Sequence, residues 1–348
     1  MRDFAFELAP VVQDIYNQSL KDGKSPLKSS VVSPIPKATP PKKVDSDLRP
    51  ISLTCTLAKI MEGFTITKLL PQLGNKIDVR QYARKGHSTT DALLYLLQAI
   101  YEAIDRGNTA TRIFFADFSK GFDLIDHNIL IRKLKTLDVS PVLVGWIAAF
   151  LTNRQQAVKI GDITSEWRTL KGGIPQGTKL GVILFAVMTN DLIIDWPLRI
   201  KFVDDTTALE IIPRNSISLL NHVATDIHEF ASTHNMKLNP GKCKEMFINF
   251  MHDHNILVNP IVLGNKEIEC VANYKLLGVY LNEDLSWNTH IDYIFKKACK
   301  RLYSLRILKR AGVASLNILK VYLTIIRPIL EYAVPVWQSI SGTWSDKI

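Results

Sequence analysis

Two adjacent carboxylates, Asp204 and Asp205, sit in the run Ile200-Lys-Phe-Val-Asp-Asp-Thr-Thr-Ala-Leu-Glu-Ile211, between stretches rich in β-branched and apolar residues. That pattern predicts a hairpin with the acids at its tip. Carboxylates held side by side raise one another's pKa unless a cation offsets them. A third acid, Asp117, closes another apolar run, Arg112-Ile-Phe-Phe-Ala-Asp117. Three acids at strand ends can bind two divalent ions. Asp117 and the pair are far apart in the chain, so only a folded sheet can bring them together.

The elements that must do this alternate irregularly. Leu93, Leu94, Leu97, Ile100, Tyr101 and Ile104 have the spacing of an amphipathic helix over 91–106. A Gly107-Asn108 break then leads into the Asp117 strand. Helices are predicted over 129–137 and 142–151, and strands over 155–160 and 166–170. No internal repeat is present. The order implies an α+β fold, a small antiparallel sheet carrying the acids with helices packed on one face. Residues 24–46 mix a short β-like run with prolines and lysines, a basic loop region.

Composition limits the function classes. The 348 residues are 47% hydrophobic, enough for a large core in two or three subdomains. The net charge of +10 and the pI near 9.3 favour a polyanionic partner such as nucleic acid. No apolar run approaches the roughly 18 residues of a spanning helix, and Asp3 and Glu7 break the N-terminus. The expectation is an intracellular chain, nuclear or cytoplasmic, neither secreted nor membrane-bound. Cys55, Cys243, Cys270 and Cys299 form no C-x-x-C pair, which argues against a zinc knuckle or a disulfide framework. Between Asp292 and Glu331 there are nine Lys or Arg and no acid. Phe295, Ala298, Leu302 and Leu305 mark the apolar stripe of a helix that leaves Lys297, Lys300 and Arg301 on another face. Such one-signed charge is stabilised by a polyanion.

Over about residues 31–337 the chain resembles the reverse transcriptase domain of non-LTR (LINE-type, jockey-like) retrotransposons. Val32-Ser-Pro-Ile-Pro-Lys37 and Asp47-Leu-Arg-Pro-Ile-Ser-Leu53 resemble the first fingers motifs, and Gln81-Tyr-Ala-Arg-Lys-Gly-His-Ser-Thr-Thr-Asp-Ala92 the next block. Phe115-Ala-Asp-Phe-Ser-Lys-Gly-Phe-Asp123, Gly173-Ile-Pro-Gln-Gly177 and Phe202-Val-Asp-Asp205 are similar to motifs A, B and C. Asn239-Pro-Gly-Lys242 and Tyr274-Lys-Leu-Leu-Gly-Val279 resemble motifs D and E, and Pro335-Val-Trp337 the close of the thumb region. The chain departs from the family at Gly121 (often alanine), Lys179 (usually small or apolar), Val182 (often proline) and Cys243 (often threonine).

The resemblance implies a right-hand polymerase fold: an N-terminal helical segment over 1–30, fingers and palm over 31–282, and a basic helical thumb region over 283–348. It implies an RNA-directed DNA polymerase that extends a DNA primer on an RNA template with deoxynucleoside triphosphates. Two Mg2+ ions, or Mn2+ in their place, would be held by Asp117, Asp204 and Asp205, with phosphates and water completing the shell. Arg49 and Lys37 are the candidate contacts to the triphosphate. Phe122, fifth after the motif A acid, would lie under the sugar and exclude a 2′-hydroxyl. Gln176 is the reaching side chain of a glycine-flanked turn open to a base pair, and Lys242 a donor to the leaving pyrophosphate. His127 is expected to pack or cap, and Lys297, Lys300 and Arg301 to bind the duplex. The endonuclease region of a full element is expected to be missing. The runner-up is a decayed or domesticated copy that binds nucleic acid without catalysis. A maturase-like splicing cofactor is disfavoured by the lack of a region after the thumb, and an RNA-dependent RNA polymerase by Phe122.

Overall fold

The computed structural model describes residues 4–37, 39–251 and 258–339. Its central sheet has five strands in the order Glu269–Cys270, Lys244–Ile248, Thr109–Ala116, Asp205–Pro213 and Arg199–Phe202. All pairs are antiparallel except Glu269–Cys270 against Lys244–Ile248. The middle strand is buried almost end to end, and its side chains alternate between two cores. Phe114 and Ala116 join one; Ile113 and Phe115 join the other.

Helices therefore cover both faces, not the single face expected. The first core takes in Leu130, Val144, Leu184 and Leu220, from the helices His127–Thr136, Pro141–Leu151, Lys179–Met188 and Leu220–Thr233. The second takes in Leu96 and Ile100 from Thr89–Arg106, Leu281 from the hairpin Asn273–Leu276 and Val279–Asn282, and Ile291 and Trp337. Thr111 and Arg112 on the middle strand are buried, and the Arg112 guanidinium finds its partners inside the protein.

Local chemistry sets the element ends. Ser88 and Asp91 form a capping box, Ser88 Oγ accepting from Asp91 N at 3.2 Å while Asp91 Oδ2 accepts from Ser88 N at 2.7 Å. The helix expected from Asp91 consequently starts at Thr89. Asp126 caps the next helix through Asn128 N and Ile129 N.

A second sheet runs Leu48–Thr54, Ser30–Pro36, Gln155–Ile160 and Ile163–Thr164, with Arg168–Thr169 also pairing with Gln155–Ile160. The strand expected over 166–170 is thus only Arg168–Thr169. Ser165 bonds Val158 with both its N–H and its hydroxyl and leaves Glu166 and Trp167 outside the ladder. On the Asn288–Arg310 helix the buried stripe is His290, Ile291, Ile294 and Ala298. Leu302, expected in that stripe, is exposed because the packing against the hairpin ends at Ala298.

Two buried ionic clusters hold the central sheet. Arg112 on the middle strand donates to Glu245 on its neighbour at 2.6 and 3.1 Å, and also to Ser218, Asn221 and Asn259 O. Asp78 accepts from Arg199 at 2.7 and 2.9 Å and pairs with Lys201 Nζ at 2.8 Å. Burial alone would push the Asp78 carboxyl up; the Arg199 hydrogen bonds and the Lys201 charge overcome it and hold it at about 2. Removing Asp78 strands two buried cations, so Asp78→Ala should lose about 3–5 kcal/mol of unfolding free energy in a denaturant titration. Lys296→Ala, which breaks the exposed helical pair with Asp292, should lose less than about 1 kcal/mol.

Candidate active site

The acids converge as the strand register dictates. Asp117 directly follows the middle strand, whose last residue, Ala116, is opposite Thr206. Phe202 pairs with Asp205 across a two-residue turn, Val203-Asp204. The turn needs positive φ, and Val203 supplies it at 60° despite its branched side chain. The hairpin with acids at its tip is thus as the sequence predicts.

Asp204 and Asp205 touch solvent, but the walls around them strip enough water to dominate their titration. The Asp205 carboxyl is pushed up to about 6 by desolvation, and then by the charges of Asp204 and Asp117. Desolvation also raises Asp204, against the opposing Arg49 charge. It raises Asp117 against Lys242 and Lys37, with Asp204 adding to the rise. Asp117 Oδ2 is buried without a hydrogen-bond partner, and Lys242 Nζ lies 3.9 Å away. The acids form an unneutralised negative centre rather than a closed salt-bridge network.

Cations reach this centre from the second sheet. Ile35 pairs with Arg49, and Lys37 N donates to Asp47 O at 2.7 Å, so both basic side chains belong to one hairpin facing the acids. Phe122 stacks on Phe185 with ring centroids 4.9 Å apart. Gln176 Nε2 reaches Asp123 Oδ1 at 3.4 Å, and its carbonyl accepts from Ser52 N at 2.8 Å. Lys297, Lys300 and Arg301 are not part of this group. They are exposed on the Asn288–Arg310 helix, which packs on the Asn273–Asn282 hairpin, with Lys297 Nζ 5.7 Å from the Tyr293 ring.

Comparison with known proteins gives this geometry its context. Residues 35–293 match the family model described as reverse transcriptase (RNA-dependent DNA polymerase). The chain belongs to the reverse transcriptase family. A short match at 287–319 to the N-terminal model of alkylated DNA repair protein alkB homolog 8 covers too little of the chain to bear on its family. The chain is 27% identical over 343 residues to the probable RNA-directed DNA polymerase from transposon BS of Drosophila melanogaster, covering 93% of this chain and 37% of that one. It is likewise 27% identical over 355 residues to the RNA-directed DNA polymerase from mobile element jockey of Drosophila funebris, covering 96% and 38%. It therefore spans under two-fifths of the length of these relatives. The fold is similar to that of apo telomerase from Candida tropicalis, with a TM-score of 0.55 at 12% identity, covering 98% of this chain and 64% of that one. It is also similar to Candida albicans telomerase in complex with a fragment of telomeric RNA, with a TM-score of 0.53 at 13% identity, covering 98% and 65%.

In this reverse transcriptase chain the glycine-flanked turn serves the protein's own packing. A Cβ on Gly173, at φ +82°, would lie 2.7 Å from Asp123 O, and one on Gly177 would press on Ile51 and Ser52. At these two glycines the missing side chain makes room for Asp123 and for the strand Leu48–Thr54. His127 fastens the same loop through Gly173 O at 2.8 Å. Cys243, at the departure from the family, lies behind Asp117 and accepts its N–H at 3.4 Å.

Sequence reading passed over two side chains at the site. Tyr274 stacks on Phe115 at 3.9 Å, and its hydroxyl is pushed up to about 12 by burial and the charges of Asp205 and Asp117. Asp123 holds Gln176. Both stood inside quoted motifs, and only the fold reveals what they touch.

The raised Asp205 pKa has a consequence for stability. The unfolded chain protonates this acid near pH 4 and the folded chain near 6. Between those values the folded state binds more protons, so stability without divalent ions should fall as pH rises from about 4 to about 6 and then level off. Asp205→Asn should lessen that fall, the raised Asp117 and Asp204 keeping the remainder. Melting temperatures at pH 4.5 and 7.5 in EDTA check it, and an equal pH dependence in both proteins would be the contrary result.

Proposed function

We propose that this chain is an RNA-directed DNA polymerase, extending a DNA primer along an RNA template by nucleotidyl transfer from deoxynucleoside triphosphates. The observation that carries the reading is the gathering of Asp117, Asp204 and Asp205 on two hydrogen-bonded strands, opposite Arg49 and Lys37. The relatives' descriptions as RNA-directed DNA polymerases support it.

The acids suit divalent cations. Asp117 Oδ2 lacks a hydrogen-bond partner, and desolvation raises all three carboxyls despite the charges of Lys242, Lys37 and Arg49 nearby. Among the described residues no group of three His, Cys, Asp or Glu side chains is gathered closely enough to hold a metal ion by itself, so ligands from outside the chain would have to complete any shell. An open set of acids is what Mg2+ takes when nucleotide phosphates and water supply its other ligands. Two such ions, when bound, lower the pKa of the primer 3′-hydroxyl and stabilise the departing pyrophosphate.

The chain's own residues do the rest. Arg49 grips phosphate oxygens with its planar fork, and Lys37 adds a point charge. Lys242, beside Asp117, supplies charge or a proton to the pyrophosphate. Phe122 cannot swing freely because Phe185 backs its ring, so it closes the space beneath the sugar where a 2′-hydroxyl would stand. Gln176, tied to Asp123, abuts the nascent base pair. Lys297, Lys300 and Arg301, in the thumb region from 283 on, track the duplex backbone, an attraction that weakens with salt.

Two experiments test this on a poly(rA) template with an oligo(dT) primer, dTTP and Mg2+. Asp204→Ala should lower kcat by several orders of magnitude with the fold intact by circular dichroism. Retention of more than about a tenth of wild-type turnover, a barrier change of only about 1.4 kcal/mol, rejects the assignment. Phe122→Val should narrow the ratio of kcat/KM for dTTP over UTP while dTTP incorporation is largely kept. An unchanged ratio would remove Phe122 from the sugar site.

A further inference from the structure

Val203 is a β-branched residue at φ 60°, immediately before Asp204. Left-handed backbone is disfavoured for such a residue and persists only where neighbours hold it. Its N–H donates to Gln81 Oε1 at 3.2 Å. The same oxygen accepts from Ala83 N at 3.1 Å. Gln81 is 1% exposed, and its Nε2 has no partner, so only the acceptor half of the amide is used.

The segment bearing Gln81 is itself fixed to the acid hairpin. Gln81 N donates to Asp78 O at 2.9 Å, Tyr82 N to Lys201 O at 2.8 Å, and Lys201 N to Arg80 O at 2.9 Å. Asp78 clamps Arg199 and Lys201 on the incoming strand. One segment, 78–82, thus grips the strand by its charges and the turn by the Gln81 oxygen.

We infer that Gln81 is a positioning residue for the polymerase reaction: its amide oxygen holds the Val203 peptide in left-handed conformation and thereby sets the direction of the Asp204 carboxylate. The inference rests on the polymerase reading of the acids. Gln81 makes no contact with substrate in this role and acts only through the turn.

The contact is tested first without substrate. Amide exchange of Val203, followed by NMR on the ligand-free chain, should be at least about tenfold faster in Gln81→Met, with the Ala208 ladder amide unchanged. In primer extension, Gln81→Met should lower kcat by about 10–100-fold and leave the KM for dTTP within about twofold, because binding groups stay in place while the acid is misaimed. Gln81→Glu keeps the acceptor and should recover most of the loss. Val203→Gly on the Gln81→Met background should recover at least about fivefold, since glycine adopts positive φ unaided.

Unchanged Val203 exchange, or kcat within about twofold of wild type in Gln81→Met, overturns the inference, as does failure of both compensating changes to restore turnover. Should Gln81→Met fail to fold, Gln81→Glu is compared with Gln81→Asn, whose shorter side chain withdraws the oxygen; equal kcat in these two overturns it as well. A wild-type chain that extends no primer rejects the polymerase reading instead, and the exchange measurement then decides the Gln81 contact alone.

Discussion

Three carboxylates held close together and partly stripped of water are the constraint around which this structure is organised. Asp117 follows the middle strand, Asp205 begins its neighbour and Asp204 lies in the turn just before it. Desolvation raises the pKa of each, and neighbouring acids add to the rise for Asp117 and Asp205. A flexible segment would relax by moving the charges apart. The middle strand cannot, because its side chains are locked in two cores at once. The Asp204 turn cannot, because a two-residue hairpin fixes its register.

The remaining electrostatics follow from the same requirement. The buried cations Arg112, Arg199 and Lys201 pair with Glu245 and Asp78 and are unavailable to the three acids. Those buried pairs specify register at some expense in desolvation. The cations that do reach the acids, Lys37, Arg49 and Lys242, are exposed, and Lys242 stands only at the outer limit of an ion pair with Asp117, at 3.9 Å. Buried paired charges thus lie within the sheet, and exposed, loosely paired charges lie at its edge beside the acids.

The division explains what could be read in the sequence. The acid hairpin and the Asp117 strand were legible because adjacent acids between β-branched runs are a local pattern. So was the 91–106 helix, with only its first turn missed, through the Ser88 cap. The Arg112–Glu245 and Asp78–Lys201 pairs were not legible, since each joins positions that no periodicity links. Tyr274 and Asp123 were in view as parts of motifs, but their neighbours depend on how motif E packs against the middle strand and how motif B folds back on motif A. The two-sided covering of the sheet was misread for a related reason. The middle strand puts Phe114 and Ala116 on one face and Ile113 and Phe115 on the other, and the helices that cover each face come from distant parts of the chain. The thumb stripe slipped because helical period alone does not say where a partner surface ends.

A site assembled this way is electrostatically unfavourable until occupied. Any ligand that neutralised the acids in the folded chain alone would return by mass action the stability that the acids withdraw. The scaffold must therefore tolerate the unoccupied site without collapsing onto it. Three features meet that demand: Cys243 filling the space behind Asp117, Phe185 backing Phe122, and Tyr274 stacked on Phe115 beside the acids. Each places a side chain with no cationic group against the inner side of the site, so that the positive charges near the acids, Lys37, Arg49 and Lys242, all approach from the exposed side.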